Sequence, residues 1–274
     1  MPNQFEDLPA IAAKIRKSIV DMLHSSGASH LGSNLSTVEI LTAVYSLINC
    51  EKIINLETDR SRVIMSKGHA AAAHYSTLNE FGILSIDNLN TYHLANSDLT
   101  GHVNHKVPGI EHSTGALGHG INVACGCALG SKFSDLNYGV YVILGDGEMQ
   151  EGSVWEAFMF AGHNRLSQLT ALIDYNKISS ITYTNEVISI EPLSERLSAF
   201  GWSVCAVNGH STSEIIEAIQ NTRRDNKPLA VICETTKGKG VSFAENKAIW
   251  HYRSLTDELH KQAVTEILRE KVKK

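Results

Sequence analysis

The 274-residue sequence predicts an α/β fold, a parallel β-sheet with helices on both faces. Three observations lead there. Continuous apolar runs at 140–144, 169–173, 204–207 and 229–233 lack the alternation of half-exposed strands, as strands buried on both faces do. Helical segments at about 152–164, 192–200 and 212–224 separate them. Strand and helix in alternation give right-handed crossovers and a parallel sheet.

The elements follow in order. Asp7 can cap a helix carrying Leu8, Ile11, Ile15, Ile19 and Leu23 at helical spacing. Ser36 followed by Glu39 reads as a capping box that opens a second helix to about Leu47. The N-terminal helical segment thus covers about 8–50. A short β-prone stretch at 62–65 leads through SKGHA into a helix that runs to about Phe81. From 83 to 117 periodic signals are few. Gly120, Ala124, Gly126, Ala128 and Gly130 give a helix with a small-residue face able to press closely on a sheet. An amphipathic stretch at about 257–272 predicts a terminal helix. No internal repeat or Pro/Gly/Ser-rich linker divides the chain, so residues 1–274 read as one domain.

Composition excludes several classes. Hydrophobic residues are 43% and charged residues 19%, ordinary for a globular protein. No apolar run approaches the roughly 20 residues of a membrane span. The start, MPNQFEDLPA, lacks the basic and apolar regions of a secretory signal. Net charge is −5 and the basic residues are dispersed except in the tail REKVKK, which gives nucleic-acid binding little support. Cys50, Cys125, Cys127, Cys205 and Cys233 form no Cys-x2-Cys pair, which weakens zinc and disulfide readings and fits reduced thiols in a cytoplasm. Histidine is the unusual count, at 13.

Ligands of parallel sheets bind beyond the carboxyl ends of the strands. The segments there are SKGH, GDGEMQEG, DYNKI, NGH and ETTKGKG. Asp146 and Asn176 lie after consecutive strands and so reach one edge of the sheet. A carboxylate, an amide oxygen and nearby backbone carbonyls are hard donors that suit Mg²⁺ completed by phosphate and water. Gly145 and Gly147 let the backbone approach a diphosphate. Other features read as structural. Cys125-x-Cys127 is packing, and Gly115-x-x-Gly118-x-Gly120 lacks dinucleotide spacing. Lys237-Gly-Lys239-Gly lacks the Walker pattern. Trp155, Phe158 and Phe160 pack in the core or at a subunit interface.

GDGEMQEG followed by NKI resembles the thiamine-diphosphate signature of the transketolase family. SGASHLGSNLS, SKGHA, GHVNHKVPGIEHSTGALGHG, FGW and KGKGVSFAENKAIWH agree in order, over about residues 10–255. The chain resembles in particular the N-terminal component of a split, two-subunit transketolase. The resemblance implies a thiamine-diphosphate-binding fold of the diphosphate-binding type. It implies that Asp146, Asn176 and the backbone oxygen of Ile178 hold Mg²⁺, with Ca²⁺ or Mn²⁺ as substitutes. Gly147 and His69 would contact the diphosphate, and Gly115 and Leu117 would line the cofactor. His30, His102 and His251 match catalytic histidines at the cofactor's reactive end and the sugar. Imidazole titrates close to neutrality, so it can take the proton of a donor hydroxyl and later return one to the acceptor. Glu151 matches an acid of the subunit-contact network. His119 stands where the family has glutamine, and Tyr252 follows His251 where glycine is usual.

The family implication is transfer of a two-carbon ketol unit between sugars or sugar phosphates. The partner would be a C-terminal transketolase subunit that carries the pyrimidine-binding domain and the activating glutamate, in a heterotetramer. The alternatives are 1-deoxyxylulose-5-phosphate synthesis, 2-oxo acid decarboxylation, or a non-catalytic interaction subunit.

Overall fold

The computed structural model describes residues 7–222 and 224–272. In order the elements are α1 (Leu8–Ser26), α2 (Leu31–Ser36), α3 (Val38–Leu47), α4 (Cys50–Ile54), β1 (Arg62–Met65), α5 (Ala71–Glu80) and α6 (Ile86–Leu89). There follow α7 (Gly120–Phe133), β2 (Val140–Gly145), α8 (Gly152–His163), β3 (Leu169–Tyr175), α9 (Thr184–Val187) and α10 (Leu193–Ala199). The chain continues through β4 (Ser203–Asn208), α11 (Thr212–Asn221), β5 (Leu229–Glu234) and α12 (Asp257–Val272). The five strands pair in parallel in the order β1-β2-β3-β5-β4.

Two apolar cores cover the two faces of the sheet. Val140, Val142 and Leu144 of β2 face one, with α7, α8 and α10. Ile143 faces the other, with α1, α2, α3, α5, α11 and α12. Side chains of one strand alternate between faces, and here both faces are apolar, which is why the sequence shows no alternation. Among the described residues no helix is long and apolar enough to cross a membrane.

Asp7 caps α1 as its sequence predicts, accepting from the Ala10 amide at 2.9 Å. The capping box at Ser36 and Glu39 is not formed. Ser36 lies inside α2 and donates to Asp174 Oδ2 at 2.6 Å, while the Glu39 carboxylate takes the Arg16 guanidinium. Buried charges bind a hydroxyl and a carboxylate more strongly than orphan helix amides do, so α3 begins at Val38 with Thr37 as its cap. The small-residue face of α7 is needed at its start. A Cβ on Gly120 would stand 2.6 Å from the Ser66 Cα, whereas Gly126 has open space. The stretch from 83 to 117 is loop apart from α6, and it packs on the end of β1. A Cβ on Gly68 would meet the Thr114 carbonyl oxygen at 2.5 Å.

Candidate active site

A cleft of about 570 Å³ opens at the carboxyl edge of the sheet. It gathers all ten residues singled out in the sequence: His30, His69, His102, Gly115, Leu117, Asp146, Gly147, Asn176, Ile178 and His251. They come from the head of α2, the turns after β1, β2 and β3, the long loop before α7, and the turn before α12.

The Asp146 carboxylate is 2% exposed. Oδ1 accepts from the Gly147 amide at 2.7 Å, and Oδ2 accepts from the Lys177 amide. Burial, and then the charge of Asp174, push its pKa up to about 7 against the pull of those two amides. No lysine or arginine side chain bonds it among the described residues. Asn176 donates through Nδ2 to Asp174 Oδ2 at 3.3 Å, and its Oδ1 accepts from the Ile178 amide at 3.1 Å. Asp174 is fully buried and also takes Lys67, Ser36 and Thr235. A buried carboxylate short of a cation, an amide oxygen fixed by its neighbours and the Ile178 carbonyl form a hard-oxygen donor set. That set fits a divalent cation of the Mg²⁺ kind which draws its remaining ligands from phosphate and water. No group of three or more His, Cys, Asp or Glu side chains is placed to hold a metal among the described residues. A site with one carboxylate therefore needs a ligand's anionic oxygens.

Lys237 stands beside this set. It is 2% exposed, and Nζ donates to the carbonyls of Ile178 at 2.9 Å and Ser179 at 2.7 Å. Burial, then the charge of Lys67, lower its pKa to about 8. Each carbonyl keeps a second lone pair, so the Ile178 oxygen can face both a metal and this ammonium. Sequence reasoning set the KGKG run aside for want of Walker spacing, yet its place after β5 was the signal that could have found Lys237. Ser33, Lys67 and Glu148, also unforeseen, line the cleft too. Glu148 accepts from the amides of Gly118 at 2.9 Å and Gly145 at 3.2 Å and from the Ser66 hydroxyl, which ties the GDG turn to the loop before α7.

Across the cleft the histidines cluster. The His30 ring lies 4.9 Å from that of His251, 5.3 Å from His69 and 5.7 Å from His102. His30 adopts a left-handed conformation (φ 71°) where its amide donates to the His251 carbonyl at 2.9 Å. Asn34 fixes the backbone around it, donating to the His30 carbonyl at 2.9 Å and accepting from the Ala73 amide at 2.8 Å. Burial, followed by neighbouring cations and rings, lowers the pKa of His30 to about 4 and of His251 to about 3. The same cause lowers His69 and His102. The four rings are thus neutral at neutral pH, with lone pairs free to accept protons. Glu151 and Tyr252 stand at the rim.

Comparison with known proteins agrees with this geometry. Residues 9–268 match the family described as transketolase, thiamine diphosphate binding domain. One of the two subunits of an apulose-4-phosphate transketolase from Phocaeicola vulgatus is 40% identical over 96% of this chain and 95% of its own. A 6-deoxy-6-sulfo-D-fructose transketolase subunit from Clostridium sp. is 39% identical over 98% and 99%. The crystal structure of transketolase from Campylobacter jejuni superposes with a TM-score of 0.87 at 28% identity, covering 96% of this chain and 43% of that one. The chain therefore spans less than half of that larger protein and nearly all of the two shorter relatives.

Proposed function

Because the chain belongs to the transketolase thiamine diphosphate binding domain family, we propose that it is the cofactor-binding subunit of a two-component transketolase. It transfers a two-carbon ketol unit from a ketose donor to an aldose acceptor. The observation that carries this reading is the meeting of ten residues from separate segments in one cleft, with an oxygen donor set on one side and neutral imidazoles on the other. Residues 1–274 act as one domain, working in the cytoplasm, where five unpaired cysteines are at home.

Thiamine diphosphate, when bound, supplies the nucleophile and the electron sink. The chain's own residues do the rest. Asp146, Asn176 and the Ile178 carbonyl hold Mg²⁺, for which Ca²⁺ or Mn²⁺ substitutes. Gly147, His69 and Lys237 bind the diphosphate, and Gly115 and Leu117 line the cofactor. His30, His102 and His251 face the sugar, where a ring nitrogen takes the donor hydroxyl proton and later returns one to the acceptor oxygen. The relatives from Phocaeicola and Clostridium carry names that specify a phosphorylated sugar and a sulfo sugar. An anionic sugar is accordingly the substrate class proposed here.

The partner is a C-terminal subunit that brings the pyrimidine-binding domain and its activating glutamate, in a heterotetramer contacted through Glu151 and Trp155. Calorimetric titration with thiamine diphosphate, with and without Mg²⁺ and with and without that partner, tests the reading. Saturable, Mg²⁺-dependent binding is expected. Absence of binding under all four conditions would overturn it.

A further inference from the structure

Behind the cleft, outside the residues assigned so far, a buried chain of side chains runs from α1 to the loop after β5. Arg16 places both terminal nitrogens on the Glu39 carboxylate, and its Nε donates to the Lys239 carbonyl at 3.2 Å. Glu39 Oε2 lies 3.0 Å from Nδ1 of His210, and Nε2 of His210 lies 2.8 Å from the Thr236 amide nitrogen. Burial alone would raise the Glu39 carboxyl. Arg16 and the bond from His210 outweigh it and hold the pKa at about 2, so the carboxylate is ionised and can only accept. The proton of His210 is therefore on Nδ1, and Nε2 offers a lone pair to the Thr236 N–H.

The consequence falls on Lys237. The loop is gripped from behind at Thr236 N and at Lys239 O, and Lys237 lies between the two grips. From the front, the Gly238 amide donates to the Gly32 carbonyl at 3.0 Å, and the Lys237 side chain crosses Gly32 to reach the Ile178 and Ser179 carbonyls. An ammonium that must desolvate to enter the cleft stays there only if its backbone is fixed. A neutral imidazole with one donor and one acceptor on opposite sides can join a carboxylate to an amide, which no carboxylate or ammonium could do.

We propose that His210 is a positioning residue that fixes Lys237 in the cofactor cleft by accepting the Thr236 amide proton while its other nitrogen is anchored on Glu39. The link to cofactor binding rests on the function proposed above, whereas the effect on the loop does not.

Amide hydrogen exchange and lysine acylation, read by mass spectrometry on the full chain, test the loop directly. In the wild type the Thr236 amide is protected and Lys237 resists acylation. In His210→Ala both should become faster, by up to about tenfold, as expected for loss of one hydrogen bond. His210→Gln, whose amide oxygen can take the place of Nε2, should recover most of the protection. Affinity for thiamine diphosphate with Mg²⁺ should fall about tenfold in His210→Ala, toward the value of Lys237→Met, and return in His210→Gln. A folded His210→Ala with wild-type exchange and acylation would overturn the proposal, and so would failure of glutamine to recover either. A wild-type Thr236 amide that exchanges like a solvent-exposed one would overturn it without recourse to any variant. A wild-type chain that binds no cofactor would instead sink the functional reading, leaving exchange and acylation to decide the role of His210.

Discussion

Asp146 is the residue on which the metal site turns. Its carboxylate is buried beside Asp174, whose charge is already matched by Lys67, so it stands as the uncompensated anion of the cleft. Asp146→Ala should remove Mg²⁺-dependent cofactor binding and leave the thermal midpoint unchanged or raised, because an unfavourable buried charge goes with it. Calorimetry and a melting curve check the two halves, and unchanged affinity would remove Asp146 from the metal. His102 stands at the other end of the cleft, so His102→Ala should lower kcat/KM for ketol transfer by about 10²–10⁴-fold with little effect on cofactor affinity. Wild-type turnover by that variant in the assembled enzyme would deny it a catalytic part. These residues were legible because strand ends and glycine turns mark where a parallel sheet binds ligands. Lys67 and Asp174 were not. Their pairing spans 107 positions, and the partners of a buried charge are set by tertiary packing that no local pattern records.

The strands and most helices could be read because their apolar periods are strong and their caps are local, as at Asp7. The capping box at Ser36 misled because both of its side chains are claimed by distant charges. A second buried group between elements has a measurable consequence. His74 of α5 is 1% exposed, with Nε2 2.7 Å from the Tyr45 hydroxyl of α3. Burial lowers its pKa to about 3, while in the unfolded chain it titrates near its free value of about 6.5. Between those values the unfolded chain binds the extra proton. The contribution to stability is thus complete above about pH 6.5 and is lost progressively as pH falls toward about 3, amounting to about 2 kcal/mol at pH 5. His74→Gln removes the titration and keeps a polar partner for Tyr45. Urea unfolding at about pH 7 and pH 5 should show the stability difference between the two conditions shrink by roughly that amount in the variant. An undiminished difference would assign the acid sensitivity to other groups, the four cleft histidines first among them.

At the scale of the molecule, the cleft is half of a site. Its lining supplies donors for a metal, cations for a diphosphate and imidazoles for a sugar, but its acids are committed. Asp146 is given to the metal set, and Glu148 is bonded to Ser66, Gly118 and Gly145. Glu151 is exposed at the rim, where a second polypeptide can reach it. The lip beside it presents apolar side chains to solvent, with Ile181 74% and Ile188 62% exposed. The lip is nonetheless fixed, because Gln150 donates to the carbonyls of Thr184 at 2.9 Å and Ile188 at 2.8 Å. A rigid apolar rim around a polar cleft is what a partner surface covers. A reactive carbanion centre also requires exclusion of water that an open cleft does not give. The isolated chain should therefore show no ketol transfer with Mg²⁺, thiamine diphosphate and sugar phosphates, and should gain it when the C-terminal subunit is added. Light scattering should show the gain in activity rise together with formation of the larger assembly. Ile181→Asp, which places a charge on the rim without touching the metal donors, should weaken that assembly while leaving Mg²⁺ and cofactor contacts of the chain in place. Full turnover by the isolated chain would show that the cleft closes on itself and would remove the two-component reading.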